Sequence, residues 1–406
     1  MAFSFSFPAN KLINCNSGSE KDTPVLTVEV KGISFANKGA ELMLFAIIDQ
    51  FRQRGVDARF VVEPNGPYQR RADFGLWQKT RYIRKQLNLV APMSWLPSRI
   101  RTMFGLINES EIDLVLDASG FSYGDQWNPA VARDRISSTV VAFNKRNVPV
   151  VLLPQALGPF TKPKTRKTFA HIAKHADLVF PRDDHSFQFT QALLTHTEQK
   201  HIKRCPDFTN LIKGMPAEAF DAEQHQICFI PNSKMVEKRD DGDNYITFMV
   251  KAIEAALQQN AKPFILIHEA DADRKLTAQI QAQLSQQIPV LDPQHALKIK
   301  WIIGQSKVVV SSRYHGLVSA LSQGVPVIAT GWSHKYQELL SDYNCQNQLF
   351  DVTTDVTQAI ESLQLLLEDA EQYQELHSVI SAAGEWQREA VERMWDEVFA
   401  LVSGHD

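Results

Sequence analysis

The sequence predicts an α/β protein made of two facing Rossmann-like domains, each with a parallel sheet, around a central cleft. Three observations carry this. Short apolar runs alternate with stretches of helical periodicity along most of the chain, the pattern of βαβ winding. Some runs, such as "KVVVSS" (307–312), are continuously apolar, which suits strands buried on both faces of a parallel sheet. The series also runs twice, broken by the polar "KGMPAEAFDAEQH" (213–225), which reads as a linker. With 406 residues, 44% of them hydrophobic, the chain exceeds what one core comfortably holds.

In chain order, residues 1–23 read as a loose N-terminal arm, without the basic start and long apolar run of a signal peptide. "VLTVEVKG" (25–32) reads as a strand and "FANKG" (35–39) as a loop. "AELMLFAIIDQFRQRG" (40–55) reads as a helix with Leu44, Ile47, Ile48 and Phe51 on one stripe, ended by Gly55. "VDARFVVE" (56–63) closes the first βαβ unit. Strands follow at 111–119, 148–155 and 176–183, with a helix over 128–147, so the first domain spans 24–212. The second, 226–406, shows strands at 226–232, 262–269, 307–312 and 325–330 and a helical tail.

A net charge of −3 argues against nucleic acid as a partner. Cys15, Cys205, Cys228 and Cys345 are widely spaced, which speaks against a zinc site or a disulfide framework and fits the cytoplasm. No apolar run is long enough to span a bilayer. Residues 70–101 are rich in Arg and Lys, almost free of acids, and carry Trp77, Tyr82 and Trp95. This segment reads as an inserted helix pair with a solvated basic face, or as a peripheral contact with anionic lipid at the inner face of the membrane.

Ligands of open parallel sheets bind beyond the carboxyl ends of the strands, so residues just after each strand are the candidates. Foremost is "SSRYHGLVSALSQG" (311–324), which places Ser312, Arg313, Tyr314, His315 and Gly316 where a buried strand hands over to a helix N-terminus. Free amides and the helix dipole favour an anion there, Arg313 offers a planar fork, and His315 a proton. Asn37, Lys38 and Gly39 form a second possible anion nest or an ordinary turn. Asp117 and Asp125 in "DASGFSYGDQW" are candidate bases or capping groups, Gln155 a hydroxyl-orienting group, and Arg182 a second anion contact or the partner of a nearby acid. Asn232, Lys234 and His268 follow strands of the second domain. His268 with Asp271 and Asp273 lacks a specific metal spacing, so a hydrogen-bonding loop is expected and no metal.

As an ordered set, "FANKGAE", "LPQALGPF", "PRDDHSF", "CPDFTNL" and above all "SSRYHGLVSALSQGVPVIAT" resemble the polysaccharide pyruvyl transferase family, over about residues 27–340. The resemblance implies a GT-B-like architecture and transfer of pyruvate from phosphoenolpyruvate onto two hydroxyls of a sugar or glycan as a cyclic ketal, with no cofactor. It implies that Arg313, His315 and Arg182 form the phosphoenolpyruvate site. Many members carry a glycine run where this chain has "DASGFSYGDQW", which puts the acceptor in question. Two other readings are a glycosyltransferase or epimerase using a nucleotide sugar, and a non-catalytic glycan-binding homologue.

Overall fold

The computed structural model describes residues 25–403 apart from 65, 85–86, 238–241, 332 and 353–355, so the expected arm (1–23) and Cys15 lie outside the described residues. The first sheet contains β1 (Leu26–Lys31), β2 (Ala58–Val62) and β3 (Trp77–Lys79). An antiparallel hairpin, β4 (Ile83–Arg84) and β5 (Leu87–Asn88), stands apart from it. The sheet continues with β6 (Leu106–Ile107), β7 (Leu114–Asp117), β8 (Val150–Gln155) and β9 (Leu178–Pro181). Its order is β6-β3-β2-β1-β7-β8-β9, and every pairing is parallel.

The second sheet contains β10 (Ile227–Ile230), β11 (Pro263–Leu266), β12 (Val290–Leu291), β13 (Val308–Ser311), β14 (Val327–Thr330) and β15 (Leu349–Phe350). Its order is β12-β11-β10-β13-β14-β15, again wholly parallel. Strand order reverses between β1 and β7 and between β10 and β13. Such switch points open a crevice beyond the strand ends, and the two crevices face each other.

All nine expected strands form. The unexpected ones, β3, β6, β12, β15 and the hairpin, have only two or three residues each, too few to show periodicity. The helix expected over 128–147 is broken into Pro129–Ala132, a widened π turn at Arg133–Ser137, and Val140–Asn144.

Residues 70–101 also differ from expectation. They contain parts of two short helices, Tyr68–Asp73 and Ser98–Met103, separated by β3 and the hairpin. Apart from the exposed Arg99, their described cations do not form a solvated face. Arg71 and Arg101 are buried, Lys79 Nζ bonds Glu29 at 2.8 Å, Arg81 pairs with Glu109 and Arg70 with Glu41.

The helix Ala370–Ser403 joins the domains. Its Ile380 packs in the second core, while Trp395, Val398 and Phe399 pack in the first, where Phe399 meets Phe51 at 4.7 Å. The last turns of the expected second domain (226–406) therefore belong to the first core. No helix among the described residues is long and apolar enough to cross a membrane.

Candidate active site

A cleft of about 400 Å³ lies between the domains, lined by Gly32, Asn37 and Ser119–Ser122 on one side and by Asn232, His268 and Arg313–His315 on the other. Each lining segment follows a strand of one of the two sheets, as parallel α/β winding requires. The lining residues carry four cations, Arg182, Lys234, Arg313 and Lys335, against one carboxylate, Glu269. That balance favours an anionic ligand.

The turn after β13 is the centre of the site. The helix Tyr314–Leu321 has Arg313 as its N-cap residue and no side chain capping its first amides, which leaves its positive end toward the cleft. The expectation of an open Arg313 fork needs correction, because its two terminal nitrogens pair with Glu269 and Asp273. Arg313 Nε remains buried without a hydrogen-bond partner among the described residues. Arg182 reaches the same space from β9. Its guanidinium stacks 3.9 Å from the centroid of the Tyr314 ring and lies 3.5 Å from Asp207 Oδ2, and its Nε is likewise unpartnered among the described residues.

His315 sits at the domain junction. Its Nε2 is 3.8 Å from Asp207 Oδ2, too far for a hydrogen bond, and is the third buried nitrogen of this cluster without a partner among the described residues. Burial is the main cause holding its pKa down to about 4. Asp207 opposes that shift, while Arg182, Lys335 and Lys300 reinforce it. The ring is therefore neutral near pH 7, and the cations responsible are these three rather than Arg313. His268 is held well below its ordinary value, first by burial and then by Arg313, His315 and Lys38.

Gly39 explains how the domains meet. A Cβ there would fall 2.1 Å from His315 Nδ1, so only glycine lets the start of the helix Lys38–Gln53 lie against the ring. Asn37 lines the cleft and caps that helix, accepting from the Gly39 and Ala40 amides at 2.9 and 3.2 Å. Lys38 is turned to another task. Its Nζ donates to Glu41 at 2.7 Å and to the Gln294 carbonyl at 2.9 Å, bridging the domains.

Several predicted residues form the frame of the site, and two of them, Asn232 and Lys234, also line it. Ser312 is buried. Its hydroxyl bonds Tyr245 Oη at 2.7 Å, and its carbonyl accepts from Asn232 Nδ2 and Tyr336 Oη, both at 2.8 Å. Asn232 thus ties the loop after β10 to the loop after β13. Gly316 allows close packing on Ser311, Ile230 and Arg313. Lys234 lines the cleft and pairs with Glu237 at 2.6 Å.

The candidate bases are corrected. Asp117 is fully buried beneath the 119–123 loop, where it accepts from Ser119 Oγ and from Tyr123 Oη at 2.6 Å. Asp125 clamps the loop at 161–162, accepting from Thr161 N and Oγ1, both at 2.6 Å, and from Lys162 N at 3.1 Å. Gln155 is buried and donates to the Asp117 and Leu153 carbonyls. None of the three lines the cleft.

The structure adds Asp207, Glu269 and Lys335, and it places Asp273, expected in a hydrogen-bonding loop, in the first turn of the helix Ala270–Gln281 as a partner of Arg313. Asp207 was hidden because it follows no named strand. The 202–205 segment runs along the edge of β9 through a lone bridge between Val179 and Ile202 and a Cys205–Pro181 hydrogen bond. Lys335 follows β14, a strand end that marks it by the same logic as Arg313. Its ammonium lies 5.1–5.4 Å from the Phe121, Tyr336 and Tyr314 rings.

A family model described as polysaccharide pyruvyl transferase matches residues 37–334. No curated protein matches the sequence. Among solved structures, the chain is similar to Anabaena HepE in complex with UDP-glucose, with 14% identity, TM-score 0.57, and 92% of this chain and 100% of that one covered. It is also similar to the Neisseria meningitidis UDP-GlcNAc 2-epimerase bound to UDP-GlcNAc, with 12% identity, TM-score 0.55, and 91% and 99% covered. A trehalose-phosphate synthase from Burkholderia xenovorans matches with 8% identity, TM-score 0.51, and 94% and 99% covered. At such identities the likeness establishes the GT-B-like fold alone.

Proposed function

Because the chain belongs to the polysaccharide pyruvyl transferase family, we propose that its interdomain cleft moves pyruvate from phosphoenolpyruvate onto two hydroxyls of a sugar or glycan. One observation carries this reading. Three buried nitrogens, Arg182 Nε, Arg313 Nε and His315 Nε2, lack hydrogen-bond partners among the described residues and belong to side chains that line one cationic cleft. Buried polar atoms are rarely left unpaired, so their concentration around an open space speaks for a ligand rich in acceptors. A carboxylate and a phosphate on one small molecule meet that need.

The reaction needs a proton on the methylene carbon of phosphoenolpyruvate and attack by one sugar hydroxyl at the enol carbon, with loss of that hydroxyl's proton. The second hydroxyl then attacks the same carbon, the carbon–oxygen bond to phosphate breaks, and the departing phosphate takes up the second proton. Arg182, Arg313 and the first amides of the helix Tyr314–Leu321 would hold the anionic groups, with Lys335 beside them. His315 starts neutral, and an approaching dianion favours its charged form, with Asp207 behind it acting in the same direction. Substrate binding would thus load the acid that the proton transfer needs.

The experiment is phosphate release from phosphoenolpyruvate with a panel of saccharides. The expected outcome is release that depends on one acceptor class, with loss of the vinyl protons and gain of a ketal methyl signal by NMR. Turnover of UDP-sugars with phosphoenolpyruvate left intact would replace this reading with the nucleotide-sugar one.

A further inference from the structure

The helix Ser98–Met103 is turned partly inside out. Arg101 is buried, with Nη1 donating to the Leu96 carbonyl at 2.7 Å and Nη2 pairing with Glu111 at 2.7 Å. Ile100, Met103 and Phe104, at i, i+3 and i+4 and so on one stripe, are 38%, 76% and 65% exposed. Nearby in the chain, Trp95 is 81% and Leu87 67% exposed. Scattered exposed apolar residues need no explanation, but a run of them within eighteen positions of one segment does.

This segment is anchored. Asn108 Nδ2 holds the Ser94 carbonyl at 3.2 Å, and Asn88 Oδ1 holds the Tyr82 amide at 2.9 Å. Its exposed side chains are therefore presented by a fixed frame. The charge pattern identifies what they meet. Between Asp73 and Glu109 the sequence has no acidic residue and six Lys or Arg. Of the carboxylates at the border, Glu109 is engaged by Lys79 and Arg81 and Glu111 by Arg101, while Asp73 is exposed. Between these borders, what the described residues turn outward is apolar surface and the exposed Arg99, without a carboxylate.

We propose that this face seats on an anionic lipid surface, with Trp95, Met103 and Phe104 entering the boundary between headgroups and acyl chains. Large apolar tips supply the insertion, and the exposed Arg99 beside them supplies attraction to acidic headgroups. Exposed tryptophan is well placed at that depth. The sequence alone pointed to a basic, aromatic segment as the contact; the structure engages most of its described cations in ion pairs or burial and leaves the apolar stripe as the contact. Arg81, Tyr82 and Ile83, leading into the hairpin, also line a cavity of about 370 Å³ in the first domain, which seating would bring toward the headgroups.

The test is flotation of the full chain with phosphatidylcholine vesicles containing about one-third phosphatidylglycerol, compared with phosphatidylcholine alone. The wild type is expected to float with the anionic vesicles. The triple variant Trp95→Ser/Met103→Ser/Phe104→Ser should partition at least about tenfold less. These side chains are exposed, so the variant should keep the wild-type melting temperature. Failure of the wild type to float, or equal flotation of the two proteins, overturns the proposal. Self-association in sedimentation that the variant abolishes, with no lipid binding, also overturns it and makes the stripe a contact between copies of the chain.

Discussion

Arg313→Ala is expected to remove measurable phosphoenolpyruvate binding and to lower folding stability by about 3–5 kcal/mol. The two losses have different origins. The stability loss follows from Asp273, whose side chain is fully buried and pairs with Arg313. Burial already raises the Asp273 pKa, and Arg313 is the largest influence holding it down. Without the guanidinium, Asp273 must be buried unpaired or take up a proton. The binding loss follows from the place of Arg313 at an uncapped helix N-terminus lining the cleft. The double variant Arg313→Ala/Asp273→Asn separates them. It removes the stranded charge and should recover part of the stability in urea unfolding but none of the binding in calorimetry. If binding returned with stability, Arg313 would be a structural residue only.

His315→Ala is expected to lower kcat by about 10²–10⁴, the usual worth of a positioned acid or base, with a smaller effect on phosphoenolpyruvate affinity. The pH dependence of stability gives an independent readout. The ring titrates at about 4 in the fold, against about 6.5 when unfolded. Below about 6.5 the unfolded chain binds the proton first, so stability falls as pH drops from about 6.5 to about 4 and this contribution is then exhausted. The variant should show a shallower decline over that window. Some slope should remain, because His268 is also depressed. Gly39→Ala is the companion experiment. The added methyl would force the buried His315 ring to move, so stability should fall by about 1–3 kcal/mol from overpacking and kcat should fall as well. Unchanged kcat in Gly39→Ala would mean that the position of the ring does not matter to turnover.

The fold was readable from sequence because both sheets are parallel and buried, so their central strands appear as apolar runs. Edge strands of two residues leave no such trace. The strand-end rule located Arg182, Arg313, His315, His268, Asn232 and Lys234, since parallel winding carries every such residue toward the same cleft. It failed where being near a strand end does not mean facing outward. Asp117 and Gln155 end strands β7 and β8, yet their side chains turn into the protein and hold the loops above them. Asp207 escaped for the opposite reason, since it lies beyond an edge segment too irregular to read as a strand. The ion pairs of Arg313 span 40 and 44 positions of sequence, and no local pattern signals them. The basic segment misled because sequence shows that charges are present but not that Glu29, Glu109 and Glu111 consume them.

The most direct measurement is calorimetric titration of the wild-type protein with phosphoenolpyruvate, and in parallel with UDP. Saturable binding of phosphoenolpyruvate, undisturbed by UDP and lost in Arg182→Ala, is the predicted result. Saturable binding of UDP with none of phosphoenolpyruvate would contradict it and assign the cleft to a nucleotide sugar.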